Sequence, residues 1–323
     1  MPGKNRTKLF DMGIMLYSAF LKEKPLIKVP NNYVKVAQAV VQRVGWKSEV
    51  RGVNYQFTIG DIKENKKVMI GLSGGVDSVY FMHRLIDDGY DVTAVYVDKV
   101  NRTVARAELK QARKIAKDAK VPFFNIKMNF PKQTFPENPF KNQLILSVML
   151  DLGVKKGIYR YALGCDWTSP LETSVRGYTE SDTMEVNKYF WEGVKKHFPQ
   201  AELIFLNEEE KKYKRYDYLY KNHYNSLLNL SSCTMPQRFR DTFHKRNKKK
   251  YKIDLWQGRC GSCKKCAFEY IFLVETKHIK KNEKFYDHCW ELLDRVKISG
   301  HPEHYDARLP LEKRLENLFN LGS

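Results

Sequence analysis

Short apolar strands alternate with helices through the middle of this chain, and this alternation constrains the fold more than any other feature. The predicted strands lie at 67–72, 91–97, 121–127, 158–163 and 202–206. The predicted helices lie between them, at 76–88, 103–120, 142–152 and 183–197. Gly89 and Gly153 are placed to end the first and third of these helices. Because strands joined by helices pair in parallel through right-handed crossovers, we predict a doubly wound α/β fold with a mostly parallel five-stranded sheet.

The alternation divides the chain into three predicted regions. Residues 1–60 form an accessory segment with a predicted helix at 31–44 and a predicted strand at 53–59. Residues 61–207 form the α/β domain, and residues 208–323 form a helical, basic and cysteine-bearing C-terminal part.

Composition excludes several classes of protein. Six cysteines in 323 residues do not make a secreted disulfide scaffold, and a hydrophobic content of 42% excludes global disorder. No apolar run reaches the length of a membrane-spanning helix, and the first residues do not resemble a signal peptide, so we expect a cytoplasmic protein without a membrane partner. The net charge of +20 indicates a polyanionic partner or environment.

A glycine-rich turn joins the first predicted strand of the α/β domain to its helix. It reads Ser73-Gly74-Gly75-Val76-Asp77-Ser78 and follows Gly71 and Leu72. Paired glycines let a phosphate approach the amides at the positive end of a helix, and serine hydroxyls add hydrogen-bond donors. Asp77 suits this position if Mg²⁺ lies between its carboxylate and the phosphates. An ordinary strand-to-helix turn is the alternative, and neither a kinase-type nor a dinucleotide-binding motif is present.

Three cysteines, Cys260, Cys263 and Cys266, have the spacing of a metal-binding knuckle. Cys233 is the natural fourth ligand of a structural Zn²⁺ site, with Cys165 and Cys289 as spare candidates. An iron–sulfur cluster and free thiols are the alternatives. The ferredoxin pattern would continue with Cys-Pro, where this chain has Tyr270 and Ile271, which favours zinc.

A basic insert separates Cys233 from the other three cysteines. Residues 237–259 carry nine basic and two acidic side chains, and a second basic cluster at 211–215 is interleaved with tyrosines. Basic residues beside aromatic ones suit phosphates and stacked bases, so contact with a nucleic acid is one interpretation. A solvated, mobile loop is the other.

The SGGVDS turn resembles the pyrophosphate-binding loop of the PP-loop ATP pyrophosphatases, over roughly residues 66–206. The resemblance implies ATP and Mg²⁺ as cofactors, cleavage of ATP between its α and β phosphates, and adenylation of a substrate oxygen. By resemblance, Ser73, Gly74, Gly75 and Ser78 hold the pyrophosphate and Asp77 places Mg²⁺. The nucleotide-binding stretch then covers residues 71–78, and Tyr96, Val97 and Asp98 meet the adenine.

The cysteine segments are similar to those of the 7-cyano-7-deazaguanine synthase family. They are Ser232-Cys233 and Cys260-Gly261-Ser262-Cys263-Lys264-Lys265-Cys266. The chain departs from that family at Lys141-Asn142, where the family has Arg-Asn, and at Ser181-Asp182, where it has Cys-Arg. Another departure is the 26 residues between Cys233 and Cys260.

The second resemblance implies an AMP-forming ligase that converts a deazapurine carboxylate to an amide and then a nitrile with ammonia. Ser73, Asp77, Ser78 and Lys141 are its implied catalytic residues, and a homodimer is compatible with the sequence. One alternative moves the same chemistry onto a base in tRNA or DNA, as in thiolation. Another is a non-catalytic nucleotide-binding or nucleic-acid-binding module, against which the intact loop argues.

Overall fold

The fold was determined from a computed structural model. It describes residues 26–31, 34–35, 37–38, 47, 49–53, 62–98, 105–128, 141–164, 184–204, 212–231, 233, 237–253 and 259–295. The described residues fall into two compact units. The first draws on Met1–Leu72, Arg84–Asn101 and Val121–Leu206, and the second on Ser73–His83, Arg102–Lys120 and Asn207–Ser323. The predicted domain limits at 60 and 207 stay a prediction.

A five-stranded parallel sheet forms the centre of the first unit. Its strands are β3 (Lys67–Gly71), β4 (Asp91–Asp98), β5 (Phe123–Lys127), β6 (Arg160–Leu163) and β7 (Glu202–Ile204). They lie in the order β5-β4-β3-β6-β7, and every pair is parallel. A separate parallel pair joins β1 (Leu26–Pro30) to β2 (Glu49–Val53). The predicted α/β fold with a five-stranded sheet is therefore confirmed.

Apolar side chains explain why β3 occupies the middle of the sheet. Val68, Met69 and Ile70 are all fully buried, as expected for a strand covered on both faces. Helix α3 (Lys141–Lys155) adds Leu144, Leu146, Met149 and Leu150 to the same core. The other helices that connect the strands are α1 (Val76–Asp87), α2 (Ala105–Asp118) and α4 (Met184–Lys195).

The second unit contains the C-terminal helices. They are α5 (Lys212–Asn222), α6 (Tyr224–Leu228), α7 (Gln237–Tyr251), α8 (Lys264–Glu275) and α9 (Glu283–Arg295). Along the part of the chain that the structure describes, none of the helices combines the length and the apolar character needed to cross a membrane. The helical C-terminal part expected from the sequence is thus present.

Gly153 does not end its helix as predicted, because α3 continues to Lys155. A Cβ atom at Gly153 would lie 2.4 Å from the hydroxyl of Tyr161, whose ring packs against this turn. The glycine therefore permits close approach of β6 to the helix, and Gly157, with a φ of 64°, follows the helix end instead. Gly89, with a φ of 80°, follows α1 as predicted.

The basic insert is a helix over most of its length and not a mobile loop, so that interpretation was wrong. Helix α7 runs for 15 residues and buries Arg240, Asn247 and Tyr251. Two of these buried residues are polar, so the hydrophobic period of the helix is weak and its sequence does not indicate a packed helix.

The accessory segment is only partly described. Val34, Lys35, Ala37 and Gln38 are helical, in agreement with the helix predicted at 31–44. Most of the predicted strand at 53–59 lies outside the described residues, and the observed strand β2 ends at Val53.

Candidate active site and metal centre

The glycine-rich turn leads from β3 into α1 and folds around two serine hydroxyls. The Oγ atoms of Ser73 and Ser78 lie 3.1 Å apart, and the backbone N–H of Ser73 donates to Ser78 Oγ over 3.2 Å. Ser78 Oγ in turn donates to the carbonyl of Gly75 over 3.1 Å. Ser78 is buried and Ser73 is exposed. The turn is thus a preformed loop at the positive end of a helix, with Ser73 open to solvent, as a phosphate site requires.

Gly74 adopts a backbone conformation that other residues rarely take, with a φ of 81°. A Cβ atom there would lie 3.3 Å from the backbone nitrogen of Ala112 and 3.6 Å from Cβ of Ser231. The Gly74 carbonyl accepts a hydrogen bond of 2.7 Å from the N–H of Ser231. The backbone conformation is the main reason for glycine here, and the tight contact with the nitrogen of Ala112 adds to it.

Asp77 forms an ion pair with Arg215 that the sequence did not reveal. Nη1 of Arg215 lies 2.7 Å from Oδ1 of Asp77, and the arginine side chain is only 3% exposed. In the sequence Arg215 belongs to a basic cluster suited to nucleic acid, but the structure buries its side chain, which points at the phosphate loop. The two residues are 138 positions apart, so no local sequence signal could have paired them.

Aromatic contacts hold α1 against α5 and α6 and thereby hold Arg215 in place. The rings of Tyr80 and Tyr218 meet edge to face at 5.0 Å between centroids. His83 stacks on His223 at 3.7 Å and forms a 2.8 Å hydrogen bond with Ser226 Oγ. The phosphate loop is therefore supported by residues more than 130 positions further along the chain.

The predicted adenine-contacting residues occupy the carboxyl end of β4. Tyr96, Val97 and Asp98 pair with residues 125–127 of β5. Tyr96 and Val97 are buried, whereas Asp98 is partly exposed. Gly71 ends the neighbouring strand β3 and Leu72 follows it, where the N–H of Leu72 donates to the carbonyl of Val95 over 2.9 Å. The carboxyl ends of such strands are where open α/β sheets bind ligands.

The remaining predicted residues of the acceptor site are only partly visible. Lys141 is the first residue of α3, and its side chain lies outside the description. Ser181 and Asp182, where the chain departs from the family, lie outside the described residues, as does Cys165, the spare candidate for the metal site.

The structure brings the four predicted cysteines together. The Sγ atoms of Cys233, Cys260, Cys263 and Cys266 all lie within 4.8 Å of one another, and all four residues are buried. The pairs Cys260–Cys266 and Cys233–Cys263 are each separated by 3.8 Å. Cys289 is buried in α9 and is not part of the cluster.

These separations match a single tetrahedral metal ion. Four sulfur atoms placed at about 2.3 Å from one ion lie about 3.8 Å apart. In a cubane iron–sulfur cluster each thiolate binds a different iron, which spreads the four sulfur atoms further. The cysteine residues therefore fit one metal ion enclosed by sulfur ligands.

Hydrogen bonds around the four cysteines shift the pKa values of their thiols. The N–H of Ser262 donates to Cys260 Sγ over 3.3 Å, in a knuckle where Gly261 has a φ of 67°. Hydrogen bonding with Cys260 lowers the pKa of Cys233 to about 7, and hydrogen bonding with Cys233 lowers the pKa of Cys263. Hydrogen bonding with Cys233 raises the pKa of Cys260. A bound cation favours the thiolate form of every ligand.

Helix α7 is tied to the cysteine knuckle by three of its polar side chains. Arg240 Nη2 donates to the carbonyl of Cys233 over 3.1 Å, and Asn247 Nδ2 donates to that of Cys260 over 2.8 Å. His244 Nδ1 lies 2.8 Å from the carbonyl of Arg259, an arrangement that requires a protonated Nδ1. The buried polar face of α7 thus satisfies carbonyls of the metal centre.

A buried ion pair stands beside the cluster. The guanidinium of Arg259 bonds to both carboxylate oxygens of Glu269 on α8 and to the carbonyl of Leu230. Burial lowers the pKa of Arg259, but the negative charge of Glu269 and the hydrogen bonds to it act in the opposite direction, and the pKa of Arg259 is raised above its ordinary value. Arg259 is therefore a structural residue and does not belong to an exposed basic surface, contrary to its place in the predicted insert.

Comparison with known proteins agrees with this geometry. The family model of queuosine biosynthesis protein QueC matches residues 67–164, which include β3, the phosphate loop and the strands beside it. A search of curated proteins finds no match.

Two solved structures are similar at low sequence identity. U34-tRNA thiolase NcsA from Methanococcus maripaludis, solved with its 4Fe-4S cluster, is 16% identical, with a TM-score of 0.39, over 88% of this chain and 90% of its own. An NH₃-dependent NAD synthetase from Campylobacter jejuni is 13% identical, with a TM-score of 0.33, over 82% of this chain and 93% of its own.

The QueC match spans the SGGVDS loop, and the described fold places that loop between a central parallel strand and a helix, as a PP-loop requires. The match over residues 67–164 supports an ATP-using PP-loop domain of the ATP pyrophosphatase superfamily in this part of the chain.

Proposed function

We propose that this protein is an AMP-forming ligase that converts a deazapurine carboxylate to an amide and then a nitrile with ammonia. The observation that carries the proposal is the preformed SGGVDS loop within a segment that matches the QueC family. A carboxylate oxygen attacks the α-phosphorus of ATP and pyrophosphate leaves. Ammonia then attacks the acyl carbon, loses a proton and expels AMP, which gives the amide.

A second ATP completes the reaction. The amide oxygen attacks the α-phosphorus, pyrophosphate leaves, and loss of AMP and of the nitrogen-bound protons gives the nitrile. The loop contributes electrostatics and alignment, since its amides and the Ser73 hydroxyl meet the charge that grows on the departing pyrophosphate. No general base is assigned to the first step, because the attacking carboxylate is already ionised.

Asp77 and Lys141 complete the proposed catalytic group. Asp77 is the only acidic residue of the loop, and a carboxylate fits Mg²⁺, which would neutralise the phosphates when bound. Arg215 orients this carboxylate through the 2.7 Å ion pair. Lys141 opens α3, and we propose that it meets the acceptor carboxylate, as implied by its match to the family arginine.

We propose Zn²⁺ for the cysteine site. Its four sulfur ligands are buried and leave no open coordination position, so the ion would support the fold and take no part in the chemistry. Thiols without disulfide partners suit a reducing compartment, in line with the predicted cytoplasmic location.

Incubation with ATP, ¹⁵N-labelled ammonium and 7-carboxy-7-deazaguanine tests the proposal by mass spectrometry. We expect one ¹⁵N atom in the amide and in the nitrile, with AMP and pyrophosphate as co-products. α,β-Methylene-ATP is the control, because it cannot release pyrophosphate and should give neither product. If labelled product does not form while AMP still accumulates with another acceptor, the deazapurine assignment is wrong and the PP-loop chemistry stands.

A further inference from the structure

Helix α7 has two sharply different faces. One face packs into the second unit and contains Arg240, Phe243, His244, Asn247 and Tyr251, all buried or partly buried. From one helical turn to the next these positions are three or four residues apart, which places them on a single stripe. The stripe is hydrogen-bonded to the metal-centre carbonyls described above, so the helix is fixed to the cysteine knuckle.

The other face is basic and exposed to solvent. We define the basic face by its five residues, Lys245, Arg246, Lys248, Lys249 and Lys250. Lys245, Arg246 and Lys249 lie opposite the buried stripe at helical spacing, whereas Lys250 turns toward the ring of Tyr251 at 4.7 Å. Asp241 is the only acidic residue of this helix. Like charges are thus crowded on one surface, where their mutual repulsion lowers the stability of the fold. Stability therefore does not explain why these residues are basic.

We propose that the basic face of α7 binds the phosphate backbone of a nucleic acid. Five cations over about one and a half helical turns extend about 8 Å along the helix axis, while a duplex carries one negative charge about every 1.7 Å. The helix is already folded and anchored, so binding does not have to order it, which lowers the cost of association. The net charge of +20 favours approach of a polyanion.

A membrane fits this helix less well. Helices that lie on membranes insert an apolar face beneath their basic one. In α7 the face opposite the lysines is packed against the cysteine knuckle, and Phe239 is the only large apolar side chain of this helix that is strongly exposed. The surface therefore offers charge without an insertable face, which suits nucleic-acid phosphates.

This inference goes beyond the proposed ligase reaction, which needs no polyanion-binding surface when its acceptor is a free small molecule. It also assigns a function to the insert between the metal ligands, which has no role in the proposed phosphate site. The basic face can be altered without touching any residue placed in the catalytic group or the metal centre.

Fluorescence anisotropy with labelled 20-base-pair DNA and RNA duplexes, titrated at several KCl concentrations, tests the proposal on the full-length protein. The variant is Lys245→Ala/Arg246→Ala/Lys249→Ala. The matched control is Lys110→Ala/Arg113→Ala/Lys117→Ala, which removes the same three charges from an exposed face of α2. For the α7 variant we expect the slope of log affinity against log salt to flatten by about 3, since each phosphate contact contributes about 1. The control should change it by less than about 1.

Three results would overturn the inference. The first is an absence of wild-type binding to either duplex up to about 100 μM protein, where even non-specific binders respond. The second is an equal loss in the control, which would show that binding follows net charge and not this face. The third is binding to anionic lipid vesicles but not to either duplex. If the metal content and thermal stability of the α7 variant are unchanged, a flatter salt dependence of binding reflects lost phosphate contacts and not a damaged fold.

Discussion

Asp77 combines two roles at the residue scale, since it is the carboxylate of the phosphate loop and the counter-ion of a buried arginine. Replacing it with asparagine leaves the guanidinium of Arg215 buried without a charged partner. Loss of one partner of such a pair is more costly than loss of both. A change at Asp77 should therefore affect folding as well as the phosphate site.

We expect Asp77→Asn to lower the free energy of unfolding by about 2 kcal/mol or more. Turnover should fall by about 100-fold or more, because charge on the pyrophosphate is no longer balanced. Asp77→Asn/Arg215→Met should recover most of the stability but not the turnover, as measured by urea unfolding and AMP release. Recovery of both properties in the double variant would show that Asp77 serves folding alone.

Gly74 and Gly89 form a matched pair for testing the loop. Both have a φ near 80°, but only Gly74 has close neighbours at the position of a Cβ atom. Gly89→Ala should cost about 1–2 kcal/mol through the backbone conformation alone. Gly74→Ala should cost more and should also raise the KM for ATP, whereas Gly89→Ala should not. Equal effects on stability and KM in a denaturation and kinetic comparison would refute a specific role for Gly74.

At the scale of elements, the cysteine centre and helix α7 depend on each other. Carbonyls of Cys233 and Cys260 accept hydrogen bonds from this helix, so loss of the metal should loosen it. We expect metal chelation or Cys263→Ser to reduce hydrogen-exchange protection across 240–251, with α1 less affected. Cys289→Ser is the control, because this buried thiol lies outside the cluster. Protection of α7 that survives complete metal removal would contradict the coupling.

The sulfur separations support the proposal that the cysteine site binds a single zinc ion. We expect one zinc per chain in anaerobically purified protein, which should be colourless. Elemental analysis and a visible absorption spectrum measure both properties. Four iron atoms per chain with a broad visible band would show that the sulfur ligands move apart to hold a cluster.

Helix α7 also shows why the composition of a segment does not predict its structure. The composition of the insert predicts a mobile loop because it counts charges, whereas the fold depends on which face each charge occupies. Arg240 and Asn247 look like surface residues in the sequence, yet both are buried because the metal centre supplies carbonyl acceptors for them.

For the whole molecule, the expected products are AMP and pyrophosphate. The loop has no kinase-type lysine, and the QueC match includes it. Chromatography of ATP labelled in the α and γ positions, after reaction with the acceptor, should show label in AMP and in pyrophosphate. ADP and phosphate as main products would be inconsistent with the superfamily chemistry and would exclude an adenylating mechanism.

The sequence by itself determined the parallel sheet, the phosphate loop and the set of four cysteines. Each of these depends on local periodicity, on glycines at a strand-to-helix turn or on ligand spacing, which are properties of neighbouring residues. Only the tertiary structure decided that Arg215 pairs with Asp77, that Gly153 makes room for Tyr161 and that the basic insert is an anchored helix. These features join residues distant along the chain, or depend on burial of polar groups whose partners lie elsewhere, and no local pattern encodes such partners.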